Sequence, residues 1–143
     1  MEIKELTSLE EMLPQFDLMH LMYKKMTPEM YKSFLEVMIP NNYSQVAVFE
    51  NNECLGVTGI WFQTKLWCGK ALEIDNFIVH PDHRSKGIGD MICKFVDEKA
   101  KAIIAPVSAK ELVTLRGIDD QSLFSLNVRA SLGNTQVNKD IIN

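Results

Sequence analysis

The sequence predicts an α/β domain, and three observations predict it. Two helix-patterned segments lie between Ser8 and Met38, flanked by strand-patterned ones; Gln45 to Val79 reads as three consecutive antiparallel strands; and Leu72 to Ala100 runs strand, glycine-containing loop, amphipathic helix. At 143 residues the chain reads as one domain, residues 1–143, long enough to bury a core without disulfide or metal staples.

Met1 to Leu6 reads as a short strand. Ser8-Leu-Glu-Glu11 is a capping-box pattern that starts a helix, and Pro14 should kink or split it. Phe16, Met19, Tyr23 and Met26 recur near helical spacing. Thr27-Pro28-Glu29 opens a second helix with a cap, a proline at its first position and an acid in its first turn; Tyr31, Phe34, Leu35 and Met38 form its apolar stripe. Methionines at this spacing serve a core or, because they are adaptable, a substrate groove. Pro40-Asn41-Asn42 ends that helix, Gln45 to Glu50 is a strand turning at Asn51-Asn52, and Cys54 to Thr64 is its hairpin partner, with Gly56 and Gly59 marking a bulge or close packing. Lys65 to Lys70 should turn before a strand from Ala71 to Val79.

Pro81 stops that strand, since proline cannot donate to a ladder, and Gly87 and Gly89 let the backbone turn with its N–H groups inward at a helix N-terminus. Unpaired N–H groups and the positive end of the helix dipole meet there, and Arg84 and Lys86 add full charges, so a phosphate or pyrophosphate is the natural ligand. The helix that follows should bury Ile88, Met91, Ile92, Phe95 and Val96 and turn Asp90, Lys94, Asp97 and Lys101 to water. A dinucleotide fingerprint needs a third glycine and a Walker loop puts its lysine after the glycines; neither fits.

Arg84-Ser85-Lys86-Gly87-Ile88-Gly89, following Phe-Ile-Val-His-Pro and opening a helix, resembles the Arg/Gln-x-x-Gly-x-Gly/Ala acetyl-CoA loop of the GNAT superfamily of N-acetyltransferases. The resemblance implies a mixed, mostly antiparallel sheet flanked by helices, with a central strand–loop–helix CoA site and the two early helices bordering the acceptor. It implies acetyl-CoA as cosubstrate and a small-molecule or peptide primary amine as acceptor, attacking the thioester directly. Phe77, Ile78 and Val79 would lie on a strand that splays from its neighbour and pairs with pantetheine, and the backbone from Arg84 through Ser85, Lys86, Gly87 and Ile88 to Gly89 would hold the pyrophosphate. Glu73 occupies a Glu-Ile position that serves as general base in some members, and strand alternation puts Asp75 on its face as substitute or relay. His80 and His83 read as surface residues, His20 as structural and Cys93 as packing. The alternative reading is a catalytically weak or inactive acyl-CoA-binding or interaction module that keeps the fold.

From about Ile103 the family pattern fades. Glu111 to Leu115 reads as a strand and Ser122 to Leu132 as a helix; setting Gly133 at the family glycine puts Asn134 where phenylalanine is expected and Arg129 where a tyrosine should be. Either the subfamily diverges here or the reading frame has changed. Slow or absent transfer is the expectation, with the far edge of the sheet incomplete or completed by another chain, which allows a homodimer.

Fifteen basic and 19 acidic residues give a net charge of −4, with the basic residues scattered, so neither nucleic acid nor an anionic membrane is an expected partner. Cys54, Cys68 and Cys93 lack metal-ligand spacing and read as reduced thiols of a cytoplasmic protein; no metal is expected. Glu2 and Glu5 precede any apolar run and no stretch reaches membrane-spanning length, so neither signal peptide nor membrane span is expected.

Overall fold

A computed structural model describes the backbone of residues 1–66, 69–104, 111–119, 122–131 and 134–142, and the side chains of residues 1–66 and 70–102. Seven strands form one sheet in chain order: β1 (Glu2–Leu6), β2 (Tyr43–Glu50), β3 (Glu53–Lys65), β4 (Gly69–Val79), β5 (Glu111–Asp119), β6 (Ser122–Ser131) and β7 (Asn134–Ile142). β1 to β4 are antiparallel, β4 and β5 are parallel, and β5 to β7 are antiparallel again. Among the described residues four α-helices accompany the sheet: α1 (Leu9–Met12), α2 (Phe16–Met22), α3 (Pro28–Met38) and α4 (Ile88–Ile104).

The early helices start and stop where their chemistry dictates. Ser8 accepts from the Glu11 backbone N–H while the Glu11 carboxylate accepts from the Ser8 N–H, the complete capping box. A 3-10 turn over Leu13–Gln15, with Pro14 inside it, splits α1 from α2. Thr27 caps α3 by accepting from Met30 N–H, and Asn42, in the left-handed region at φ 67°, ends the turn that follows α3. The β2–β3 hairpin turns on Asn51 and Asn52, both at positive φ, the geometry whose twist matches its strands.

Two cores lie on opposite faces of the sheet. On one, Val46, Val48, Leu55, Ile60, Leu72 and Ile74 meet Ile88, Ile92, Val96 and Ala100 of α4. On the other, Ala47, Val57 and Ile78 meet Leu6, Met12, Leu18, Met19, Tyr31 and Leu35 of the early elements. Gly56 lets α4 seat closely: a Cβ there would lie 2.7 Å from Ile88 Cγ2. Asp97, expected to face water, is half-buried and its Oδ2 accepts from Lys101 Nζ at 2.7 Å.

The segment beyond α4 differs from expectation in two ways. Ser122 to Ser131 is strand β6, not a helix, because Phe124, Leu126, Val128 and Ala130 alternate strictly with Ser125, Asn127, Arg129 and Ser131, a period of two that a helix cannot use. Leu132, the expected helix end, and Gly133 lie outside the described residues. The sheet reaches seven strands from this chain's own residues, so the gap expected at its far edge is not there. Among the described residues no helix is long and apolar enough to cross a membrane.

Candidate active site

The site is built on an irregularity in β4. Gly59 pairs with Asp75 and Val57 with Ile78, so Thr58 alone stands opposite Asn76 and Phe77, a β-bulge. Asn76 sits at φ 59°, a region asparagine tolerates because its short amide bonds locally. The bulge reverses the alternation: Leu72 and Ile74 face the α4 core, and beyond the bulge Phe77 and Val79 face it too, while Ile78 points to the opposite core. Without the extra residue, Ile78 would share the face of Leu72 and Ile74.

β4 also parts from its parallel neighbour. The β4–β5 ladder covers Ala71–Ile74 against Leu112–Leu115, after which β5 continues to Asp119 against β6 alone. Among the described residues, the β5-facing edge of Phe77, Ile78 and Val79 has no ladder partner; on the other edge Ile78 and Val79 stay registered with Val57 and Gly56. Backbone groups on such an open edge can bind an extended ligand.

The loop after β4 turns through a 3-10 helix, Pro81–His83, and then takes left-handed steps at Ser85, φ 63°, and Gly87, φ 77°. Left-handed steps of this kind can aim successive backbone N–H groups into an anion-binding concavity, and these two directly precede α4. The space that a Cβ on Gly87 would fill is open, and one on Gly89 would touch the Phe77 ring at 3.7 Å. Arg84, Ser85, Lys86 and Gly87 are exposed; Lys86 Nζ lies 3.2 Å from His83 Nδ1, and the His80 and His83 rings meet edge-on at 5.5 Å. Ile88 is buried in the core, so what it offers a ligand is its backbone amide.

The two carboxylates expected as bases differ in surroundings. Glu73 pairs with Trp61 across the sheet, and its Oε2 accepts from Lys65 Nζ at 2.8 Å. Asp75 Oδ1 accepts from Asn76 N–H at 2.9 Å, and its backbone carbonyl accepts from Thr58 Oγ1 at 3.1 Å. Tyr23, at the end of α2, donates from its hydroxyl to Asn76 Oδ1 at 2.8 Å. Burial, and then the Asp75 charge, push the Tyr23 hydroxyl up to about 12.

Behind this point lies a cavity of about 570 Å³ between α2, α3 and the sheet, lined by methionines of both helices, by Phe34 and Leu35, and by Tyr23, Tyr31, Tyr43 and Asn76. Met12 and Met19 are buried in the core and Met22, Met26 and Met38 pack against it; Met19, Met22, Met26, Met30 and Met38 also line the cavity. Beneath it, buried Gln45 donates from Nε2 to the Tyr31 hydroxyl at 3.0 Å and to that of Tyr43 at 3.3 Å, and Tyr31 donates to the Met12 carbonyl. Sequence reasoning missed Tyr23 and Asn76; the available signal was an asparagine inside an apolar strand run, where it is disfavoured unless a bulge needs it.

His20, expected to be structural, lies in α2 with Nδ1 3.1 Å from the Met26 carbonyl and its ring against Phe16. Cys54 and Cys93 are half-buried and in no disulfide among the described residues, burial pushing the Cys54 thiol up to about 11; Cys68 lies outside the described residues.

Comparison with known proteins matches residues 6–113 to the Acetyltransferase (GNAT) family. No curated protein matches the chain. Among solved structures, a GNAT family acetyltransferase from Staphylococcus aureus superposes with a TM-score of 0.64 at 16% identity, covering 95% of this chain and 96% of that one. A ribosomal-protein-alanine N-acetyltransferase from Brucella melitensis gives 0.63 at 19%, covering 84% and 82%. An aminoglycoside acetyltransferase from an uncultured soil metagenomic sample, in complex with sisomicin, gives 0.60 at 13%, covering 84% and 78%. At these identities the structures speak for the fold, whereas the family match spans most of the chain and includes the bulged strand, the glycine loop and α4: this chain belongs to the GNAT acetyltransferase family.

Proposed function

We propose that the chain transfers an acetyl group from acetyl-CoA to a primary amine of a small molecule or peptide by direct attack. The observation that carries this reading is the position of Asp75 and Asn76: they join a strand whose open edge leads to the Ser85–Gly87 loop, and Asn76 also lines the apolar cavity. The open space beside Gly87 and the left-handed steps at Ser85 and Gly87 before α4 support this loop as the seat of the CoA pyrophosphate. Backbone amides from Arg84 to Gly89 would hold that group, with Arg84 and Lys86 adding charge, and the free edge of Phe77, Ile78 and Val79 would pair with pantetheine.

Acetyl-CoA supplies the activated carbonyl that the amine attacks. The protein's part is positioning and proton handling. An amine of lysine type, with a reference pKa of ~10.4, is almost fully protonated at neutral pH and needs a base, direct or through water. Asp75 and Glu73 share the cavity-side face of β4 in this reading. Asp75 is the closer to the cavity, since its neighbour Asn76 lines it and its charge bears on Tyr23 and Tyr43, which line it too. Glu73, held by Lys65, supplies charge or relays the proton.

The test is a free-thiol assay over an amine library, run beside calorimetric titration with CoA. Thiol release that needs both substrates is expected. CoA binding without release from any amine would replace this reading with the acyl-CoA-binding module; no CoA binding would overturn both.

A further inference from the structure

The cavity has a chemical character that narrows the acceptor. Met19, Met22, Met26, Met30, Phe34, Leu35 and Met38 give it a largely apolar wall. Its neutral polar groups are the Tyr23 hydroxyl, bonded to Asn76 beside Asp75, and the Tyr31 and Tyr43 hydroxyls, both taken up by Gln45. Among the described residues no aspartate or glutamate lines it, and the charged residues that do are Lys24 and Lys25, both exposed. Met30 and Phe34 are 40% and 49% exposed, so the apolar wall reaches solvent. At about 570 Å³ it lies within the range of pockets that enclose small molecules.

We propose that the acceptor is a small monoamine on an extended apolar body, with its nitrogen at the Tyr23–Asn76 end and its body along the methionine face of α2 and α3. This rests on the transfer reading above and deepens it. A molecule with several ammonium groups would place the extra charges against methionines, with no carboxylate in the wall and two lysines nearby, so both desolvation and repulsion oppose it. A peptide fits poorly for a different reason: each residue brings an N–H and a C=O that the methionine wall cannot satisfy. An apolar body meets neither cost, and unbranched, polarisable methionines adapt to its shape.

The test uses the full-length protein with butylamine, hexylamine, octylamine and 2-phenylethylamine against spermidine, kanamycin and an alanine-headed tetrapeptide. Two readouts are taken: thiol release with acetyl-CoA, and calorimetric binding of each amine without it. We expect kcat/KM and affinity to climb along the alkylamine series by up to roughly fourfold per methylene buried, with spermidine and kanamycin at least about 30-fold poorer. Phe34→Ala, at a half-exposed position that spares the fold, should cost octylamine about tenfold and butylamine little. Reversing charge with Lys24→Glu and Lys25→Glu should narrow the gap to spermidine. Thiol release that favours spermidine, kanamycin or the tetrapeptide, or no dependence on chain length, would overturn this inference and leave acetyl transfer standing. Chain-length-dependent amine binding with no thiol release from any amine would support the cavity assignment and overturn transfer. Absence of alkylamine binding by either readout would overturn the assignment.

Discussion

The Tyr23 hydroxyl donates to Asn76 Oδ1 at 2.8 Å, tying the end of α2 to the left-handed residue that bulges β4. The family tyrosine expected at Arg129 is missing and no tyrosine follows Tyr43; Tyr23 is the phenol that hydrogen-bonds to Asn76, next to the proposed base Asp75. Its hydroxyl, pushed up to about 12, is a weaker acid than a thiol near the cysteine reference of ~8.5, so full transfer of its proton to the departing thiolate runs uphill. It can only donate a hydrogen bond. Tyr23→Phe should therefore lower kcat by roughly two- to tenfold, the worth of a neutral hydrogen bond, with CoA affinity unchanged. A loss of a thousandfold would show that Tyr23 gives up its proton outright.

The two carboxylates should separate by mutation. Asp75→Asn is expected to lower turnover more than Glu73→Gln, because Asp75 adjoins the cavity and Glu73 is engaged by Lys65. The deficit of Asp75→Asn should shrink as pH rises toward the amine's own pKa, where the acceptor loses its proton unaided. Lys65→Met would free Glu73; if Glu73 is the working base, that change should raise turnover at neutral pH. Steady-state pH profiles of the three variants decide it, and profiles like that of the unmodified protein in both carboxylate variants would remove the base assignment.

Much of the site was legible because local chemistry fixed it. Ser8 and Glu11, Thr27 and Pro28, and the Asn51-Asn52 turn each satisfy backbone groups within a few residues, so their sequence signals carry through to the fold. Gly87 was readable for the same reason: a left-handed step before a helix calls for glycine. Asn76 was not, because its bulge depends on pairing with Thr58 of another strand, which the local alternation of β4 does not reveal. The strand at Ser122–Ser131 was legible in its two-residue alternation, but the family's helix template outweighed that pattern.

Alkaline stability should report the buried phenols. Burial pushes Tyr31 up to about 12 and Tyr43 above its usual range, with hydrogen bonding to Gln45 partly offsetting both. A raised acid pKa favours the folded state below the unfolded value of ~10, and that stability is lost as pH climbs toward the folded value, since the unfolded chain deprotonates first. Urea midpoints should be flat from pH 8 to 9.5 and then fall, each phenol adding a slope of up to ~1.4 kcal/mol per pH unit. Tyr31→Phe should cost about 1 kcal/mol at pH 8 through its lost bonds to Met12 and Gln45, and should flatten the alkaline limb. An unchanged limb in that variant would mean Tyr31 does not titrate with unfolding.

Gly87 offers the most direct test of the CoA loop. Its φ of 77° is costly for a β-branched residue, on the order of 1–2 kcal/mol, but the residue is exposed and the space beside it is open, so strain in Gly87→Val should stay within the loop. The valine would stand where a pyrophosphate must approach the backbone, and the distorted turn would misdirect its N–H groups, so CoA affinity should fall by about 30-fold or more. Arg84→Ala, which leaves the backbone donors in place, should cost roughly three- to tenfold. Gly56→Val provides the contrast: its Cβ would lie 2.7 Å from Ile88 Cγ2 and 3.3 Å from the Ile78 carbonyl, so it should destabilise the whole protein by about 1–3 kcal/mol as α4 is forced off the sheet. Calorimetry with CoA and thermal melts on the three variants distinguish a binding loop from a merely structural one. A folded Gly87→Val protein that binds CoA as tightly as the unmodified chain would remove the pyrophosphate from this loop.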